Sequence, residues 1–178
     1  MAETFRLELD GRVCEARVGE TILQVANRES ISIPTLCHDE RLKPAGACRM
    51  CLVEVSGQRR LQPACAWLAT PDTKIQTQTE RVLRHQKMLL SLYLADHDLD
   101  TDGLPRERGE GNQLRDLAIA AQPMKLAPVA RSRDARVDDK NPYIHFDSDL
   151  CILCARCTRY CDEVEAVNAI WLAGRKQA

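Results

Sequence analysis

The chain is 178 residues long, carries a net charge of −1 with acidic and basic residues intermixed, and is 4% aromatic. That length leaves room for one or two small domains, which bury too little surface to be stable on packing alone, and the balanced charge argues against a nucleic-acid surface. No run approaches the roughly 18 apolar residues that a membrane span requires, and Met1 to Arg6 offers neither a basic nor an apolar leader region, so a cytoplasmic protein without signal peptide or direct membrane insertion is expected.

Taken in chain order, Phe5 to Leu9 alternates apolar and polar residues as a half-buried strand does. Asp10-Gly11 follows as a turn, and Val13 to Val18 returns as the second strand of a hairpin. Thr21-x-x-Gln24 reads as a capping box, opening a helix with Ile22, Val25 and Ala26 on one face. Leu52 to Val55, a Ser56-Gly57 turn and Gln58 to Leu61 read as a second hairpin, and Lys74 to Thr77 as a last strand. A helix is expected from Glu80 to Ala95, its apolar stripe formed by Val82, Leu83, Leu89, Leu90, Tyr93 and Leu94. Beyond it, Gly103, Pro105, Gly109, Gly111, Pro123 and Pro128 break the pattern, and only Leu114 to Ala121 suggests a short helix. Pro142 to Phe146 reads as a strand. The expected organisation is a compact α+β unit over 1–78, a helix over 79–96, a linker or extended wrap over 97–140, and a final segment over 141–178.

The nine cysteines carry the chemistry. With no signal peptide and an odd count, they point to metal rather than to a disulfide framework. Eight fall into two runs, Cys37-x10-Cys48-x2-Cys51-x13-Cys65 and Cys151-x2-Cys154-x2-Cys157-x3-Cys161. Cys14 stands apart in a strand and reads as a small buried residue. In the first run, Cys48 and Cys51 lie in one loop, and Cys37 and Cys65 come from loops on either side. Such a set suits a [2Fe–2S] cluster, and by spacing alone a Cys₄ zinc site remains open, although zinc sites usually show two short Cys pairs. Gly46 and Ala47, with Arg49, surround the Cys48 loop, where small residues let backbone N–H groups approach cluster sulfides. Only His38 lies near, which leaves a two-histidine Rieske arrangement without its ligands.

The segments Pro34 to His38, Pro44 to Val55 and Pro63 to Cys65 resemble the N-terminal ferredoxin domain shared by three groups: the large iron–sulfur subunit of NADH:quinone oxidoreductase, the diaphorase iron–sulfur subunit of NAD-reducing hydrogenases, and the formate dehydrogenase α chain. The resemblance runs from Phe5 to Ala95 and implies a β-grasp fold holding [2Fe–2S] through Cys37, Cys48, Cys51 and Cys65. These families carry a His-x3-Cys-x2-Cys-x5-Cys site after the helix. Here His97-Asp98-Leu99-Asp100 remains, but Thr101 and Leu104 stand where cysteines are expected, so this middle cluster is expected to be absent and His97 to be an ordinary surface or interface histidine.

The second run has the bacterial ferredoxin spacing, and its flanks, Asn141 to Ile144 and Asp162 to Val164, resemble the same families. In two-cluster ferredoxins the fourth cysteine of such a run ligates the other cluster. Cys151, Cys154 and Cys157 are therefore expected to hold a [4Fe–4S] cluster whose fourth ligand is open: Cys161, a partner's cysteine, or none in a split or truncated subunit. Glycines 103, 109 and 111 lack the G-x-G-x-x-G order, and no nucleophile–base pair is evident, so no independent active site is expected. The resemblance implies an electron-transfer subunit passing single electrons between a flavin- and NAD-binding partner and a partner with a catalytic metal centre. The alternatives are a zinc-stabilised assembly module and a free-standing, diffusible ferredoxin.

Overall fold

Apolar–polar alternation from Thr4 to Leu9 builds the first strand, β1 (Thr4–Leu9), which runs antiparallel to β2 (Arg12–Arg17). Asp10 and Gly11 both adopt positive φ at the turn, 51° and 80°, a conformation glycine tolerates and Asp accepts better than most side chains. The register sets Leu7 opposite Cys14, and Leu7, Leu9, Cys14 and Ala16 all face the core. In the computed structural model, residues 3–106, 111–124, 126, 137–138, 142–143, 146–147 and 150–172 are described. They fall into two compact units, Met1–Gln86 and Lys87–Ala178.

In the first unit, helix α1 (Ile22–Arg28) starts at Thr21, whose side chain accepts the Gln24 amide while the Gln24 side chain accepts the Thr21 amide. Ile22, Leu23, Val25 and Ala26 are buried. The remaining strands are β3 (Leu52–Val55), β4 (Gln62–Pro63) and β5 (Lys74–Gln76), and the mixed sheet has the order β2-β1-β5-β3-β4. Strand β5 lies parallel to β1 and antiparallel to β3, so the chain ends of this unit meet in the middle of the sheet. The Asp10 carboxylate accepts both the amide and the hydroxyl of the buried Thr77, at 2.7 and 2.6 Å, which ties the first turn to the end of β5.

The second hairpin differs from expectation. Its return strand is Gln62–Pro63, not Gln58 to Leu61. Gln-Arg-Arg-Leu has no alternating apolar face to bury, and Arg81 instead grips the Arg59 carbonyl at 2.9 Å. Pro63 cannot donate to a ladder, which is tolerable because β4 is an edge strand.

Helix α2 (Glu80–Ala95) matches its expected span, and Thr79 caps it by accepting the Val82 amide. Its buried face is shifted, however: Val82, Gln86, Leu90, Ser91 and Ala95 are buried, whereas Leu83 is exposed. Polar residues hold this face because they find partners, Gln86 at the Met50 carbonyl and Ser91 at the Lys87 carbonyl.

The second unit contains α3 (Gln113–Ala121), the two-residue strands β6 (Val137–Asp138) and β7 (Phe146–Asp147), which pair antiparallel, and α4 (Arg156–Glu163). Of the strand expected over Pro142 to Phe146, Phe146 lies in β7, while Ile144 and His145 lie outside the described residues, as does much of the 97–140 stretch. Among the described residues no helix is long and apolar enough to cross a membrane.

Two substitutions grade this framework. Thr21→Ala removes the α1 cap and is expected to cost about 1 kcal/mol. Leu9→Ala, at a fully buried position, is expected to cost about 2–5 kcal/mol. Urea denaturation followed by circular dichroism measures both.

Candidate metal centre

Three loops at one end of the first unit's sheet bring four cysteines under cover. Cys37 follows α1 and the Ile33–Leu36 stretch, Cys48 and Cys51 lie just before β3, and Cys65 follows β4. All four are buried, none more than 3% exposed. Cys51 and Cys65 are also members of the hydrophobic core, so the site is continuous with the packing that stabilises the sheet. The Ala64 amide bonds the Cys51 carbonyl at 3.0 Å, fixing the two loops against each other.

The thiols stand in two pairs. Cys48 hydrogen-bonds with Cys37, and Cys51 with Cys65. Backbone amides point at the sulfurs: Leu36 N–H to Cys48 Sγ at 3.4 Å, Cys48 N–H to Cys37 Sγ at 3.4 Å, and the Gly46 amide to the Cys65 sulfur. Gly46 and Arg49 take left-handed backbone conformations, with φ of 61° and 56°, and so curl the loop around its sulfurs. Of the expected Gly46, Ala47 and Arg49, Gly46 approaches the Cys65 sulfur through its amide, while Ala47 and Arg49 flank Cys48 in the chain and are exposed.

The protonation of these thiols follows from the pairing. The hydrogen bond to Cys37 and then burial push the Cys48 thiol far above its ordinary value, and the hydrogen bond to Cys65 and then burial do the same for Cys51. The hydrogen bond with Cys51 pulls Cys65 down to about 7, against the opposing effect of burial. Four thiolates at this spot would require compensating positive charge, which the core of a [2Fe–2S] cluster would supply. The donor set, paired thiols with inward amides, fits a [2Fe–2S] cluster. Among the described residues no group of three or more His, Cys, Asp or Glu side chains is arranged to hold one metal ion.

The second cysteine run is built differently. Cys151, Cys154 and Cys161 are half-buried and Cys157 is exposed. Leu153 and Ala155 both adopt left-handed φ, 55° and 57°, coiling the loop that leads into α4. The Leu153 amide reaches Cys151 Sγ at 3.5 Å. Cys157 and Cys161 share one face of α4, a turn apart. Cys161 Sγ accepts the Ala169 amide at 3.1 Å, so its sulfur is engaged by the loop after the helix. Three thiols thus stand within seven residues, with an amide at the first sulfur. Cys14 is buried in β2, opposite Leu7, and belongs to neither set.

Between the two runs, the positions that resemble a lost cluster site are closed by protein bonds. Asp100 accepts the amides of Asp102 and Leu104, each at 3.0 Å, and pairs with Arg115 at 2.6 Å. Arg115 also donates to the Pro105 carbonyl at 2.9 Å, and Asn112 caps α3 by accepting the Leu114 and Arg115 amides. His97 does not lie at the surface: it is 7% exposed. It follows the last turn of α2, where the Leu94 carbonyl accepts its amide, and it lines a cavity of about 110 Å³ with Tyr93, Asp96, Cys151, Ile152 and Leu153. The sequence carries no signal for this meeting of His97 and Cys151, because the two residues are distant in the chain and belong to different motifs.

The hydrogen bond from Arg115 holds the Asp100 carboxyl below the usual carboxylate range, aided by the Leu104 amide. A depressed carboxylate contributes stability that is present above its unfolded pKa and lost as pH falls through the folded one. Arg115→Met is therefore expected to speed amide exchange at Asp102 and Leu104 at neutral pH. The unaltered chain should show the same speeding only under acid. Hydrogen-exchange mass spectrometry across the two pH values checks this.

Comparison with known proteins places these observations. Residues 2–80 match the family model of a 2Fe-2S iron-sulfur cluster binding domain. The chain is 36% identical to an NADH-quinone oxidoreductase subunit of Rhizobium meliloti (strain 1021), over 93% of this chain and 20% of that protein. It is 32% identical to the NADPH-Fe(3+) oxidoreductase subunit alpha of Geobacter sulfurreducens, over 97% of this chain and 20% of that protein. The chain thus spans about a fifth of the length of these curated relatives. A chain in the crystal structure of NAD+-reducing [NiFe]-hydrogenase in the H2-reduced state superposes with a TM-score of 0.82 at 30% identity, covering 96% of this chain and 71% of that one.

Proposed function

The chain belongs to the family of iron–sulfur subunits that occurs in NADH-quinone oxidoreductase and in NAD+-reducing [NiFe]-hydrogenase, and on that premise we propose that it conducts single electrons within a multi-subunit oxidoreductase. The observation that carries the proposal is the set of four buried thiols, paired as Cys37 with Cys48 and Cys51 with Cys65. Each pair would hold one iron of a [2Fe–2S] cluster. A single zinc ion would want all four sulfurs around one point, and the pairing favours two metals over one. The sheet order, with β5 inserted parallel to β1, supports reading the first unit as a β-grasp domain.

A [2Fe–2S] cluster supplies reversible one-electron chemistry; the protein sets its potential. The Leu36, Gly46 and Cys48 amides stabilise sulfur-borne negative charge and so favour the reduced form. Gly46 lets the loop turn tightly enough to present its amide, and burial of all four cysteines excludes water from the sulfurs.

Cys151, Cys154 and Cys157 hold a [4Fe–4S] cluster in the second unit, with the fourth ligand from Cys161 or from a partner. The partners are a flavin- and NAD-binding subunit and a subunit with a catalytic metal centre, as in hydrogenases, NADH dehydrogenases or formate dehydrogenases. A cytoplasmic setting, where thiols stay reduced, suits nine cysteines that are all free of disulfides.

Electron paramagnetic resonance on anaerobically purified, dithionite-reduced protein, with iron and zinc quantified on the same sample, tests this. A slowly relaxing rhombic signal that survives warming is expected from the first unit, and a fast-relaxing signal seen only in the cold from the second. Cys48→Ala should abolish the slow signal and leave the fast one. Stoichiometric zinc with no signal would replace the electron-transfer reading with a structural module.

A further inference from the structure

His38 directly follows the first cysteine of the buried set, and the loop in which it stands makes no use of its imidazole. The turn after it is closed by Asp39. The Asp39 carboxylate accepts the Arg41 amide at 3.0 Å and the Arg41 guanidinium at 2.9 and 2.8 Å, and the Asp39 carbonyl accepts the Leu42 amide at 3.0 Å. Nδ1 of His38 is buried and has no hydrogen-bond partner among the described residues. Nearly all buried polar atoms in folded proteins are bonded, so an orphan of this kind points to a partner that the polypeptide does not supply.

The surroundings of the ring narrow the choice. His38 lines a cavity of about 330 Å³ that also reaches Cys65, with Gln24, Asn27 and Glu40 in the same wall. Each of those three side chains carries an acceptor oxygen, yet none bonds Nδ1. The Gln24 oxygen is occupied by the Thr21 amide at 2.8 Å in the α1 cap. His38 is thus joined to the metal centre twice, through the chain to Cys37 and through the cavity to Cys65, and these two cysteines belong to different thiol pairs. In a two-iron cluster with one iron on each pair, the sulfur between the pairs is bridging sulfide.

We propose that His38 donates its Nδ1–H to cluster sulfur between the two thiol pairs and so sets the potential of the first unit's [2Fe–2S] centre. The inference rests on the reading that Cys37, Cys48, Cys51 and Cys65 hold that cluster. A neutral imidazole carries one N–H, and the bonds the ring makes decide which nitrogen bears it. A donor at cluster sulfur stabilises the added negative charge of the reduced state and raises the potential. The Leu36, Gly46 and Cys48 amides serve the cysteine sulfurs from the backbone. His38 adds a donor from a side chain, which a substitution removes without altering the backbone.

The test uses the full chain, purified anaerobically, reduced, and labelled with ¹⁵N at histidine Nδ1. Pulsed paramagnetic resonance at the slow-relaxing centre is expected to show a weak coupling to the label. His38→Asn keeps an N–H donor near the Nδ1 position but carries no label, so it should retain the centre and lose the coupling. Absence of the coupling from the unaltered chain, the outcome if a cavity water meets Nδ1 instead, would overturn the proposal, as would its survival in His38→Asn. Redox titration supplies a second readout. His38→Leu is expected to lower the reduced-to-oxidised ratio of the slow-relaxing centre about tenfold at a fixed poise, equal to about 59 mV for one electron, and His38→Asn to stay near the unaltered value. Identical titration of the two variants, whether unshifted or equally shifted, would also overturn it. An unaltered chain with no slow-relaxing centre would overturn the [2Fe–2S] reading itself, and this proposal with it.

Discussion

Burial of four cysteine sulfurs at one end of a small sheet is the constraint on which the first unit depends. Cys65 is eased toward ionisation, but burial and hydrogen bonding push Cys48 and Cys51 far up, so four thiolates together would need metal charge to balance them. The sheet is arranged to make that possible. Strand β4 is two residues long and ends in proline, which releases the chain straight into Cys65. Strand β3 begins one residue after Cys51. The α1 cap and the Ile33–Leu36 stretch deliver Cys37 from the other side. Since Cys51 and Cys65 also belong to the hydrophobic core, metal binding and folding of this unit share the same contacts and are coupled.

The second unit answers a similar structural need by other means. A metal cluster is a node that ties several chain segments together. Around residues 98–116 the node is made of charge and hydrogen bonds: Asp100 accepts two loop amides and one guanidinium, Arg115 adds a carbonyl, and Asn112 both caps α3 and donates to the Arg106 carbonyl at 3.1 Å. An ion pair that is partly solvent-exposed is worth little alone. This one gains from sharing its partners with backbone groups that would otherwise be left to solvent. Thr101 and Leu104, which sit where the resembling families have cysteines, thus need no metal for their loop to close.

Much of the local structure was legible from sequence because its causes are local. The alternation in β1, the Asp10-Gly11 turn, the capping box and the span of α2 all depend on residues within a few positions of one another. Misreadings arose where hydropathy alone did not decide the outcome. On α2, Gln86 is buried because the distant Met50 carbonyl accepts from it and Ser91 because it bonds back to the Lys87 carbonyl of its own helix, whereas hydropathy alone turns the helix toward Leu83. Gln58 to Leu61 is not a strand because it has no alternating apolar face to bury, and Arg81 takes the Arg59 carbonyl instead. The burial of His97 belongs to the same class, since Cys151 comes from another motif altogether.

The first cysteine run shows how far spacing can carry a reading and where it stops. Cys48 and Cys51, two residues apart, look like a natural pair of ligands to one metal. The left-handed turn at Arg49 lies between them, and each hydrogen-bonds a different partner, Cys48 with Cys37 and Cys51 with Cys65, while all four stay close enough to feel one another's charge. Each pairing therefore spans a long loop, and neighbours in sequence face different partners. Such a pairing suits a two-iron rhomb, in which each iron takes two thiolates and the bridging sulfides hold the irons together. The Cys-x2-Cys spacing, common to both kinds of site, is silent on it.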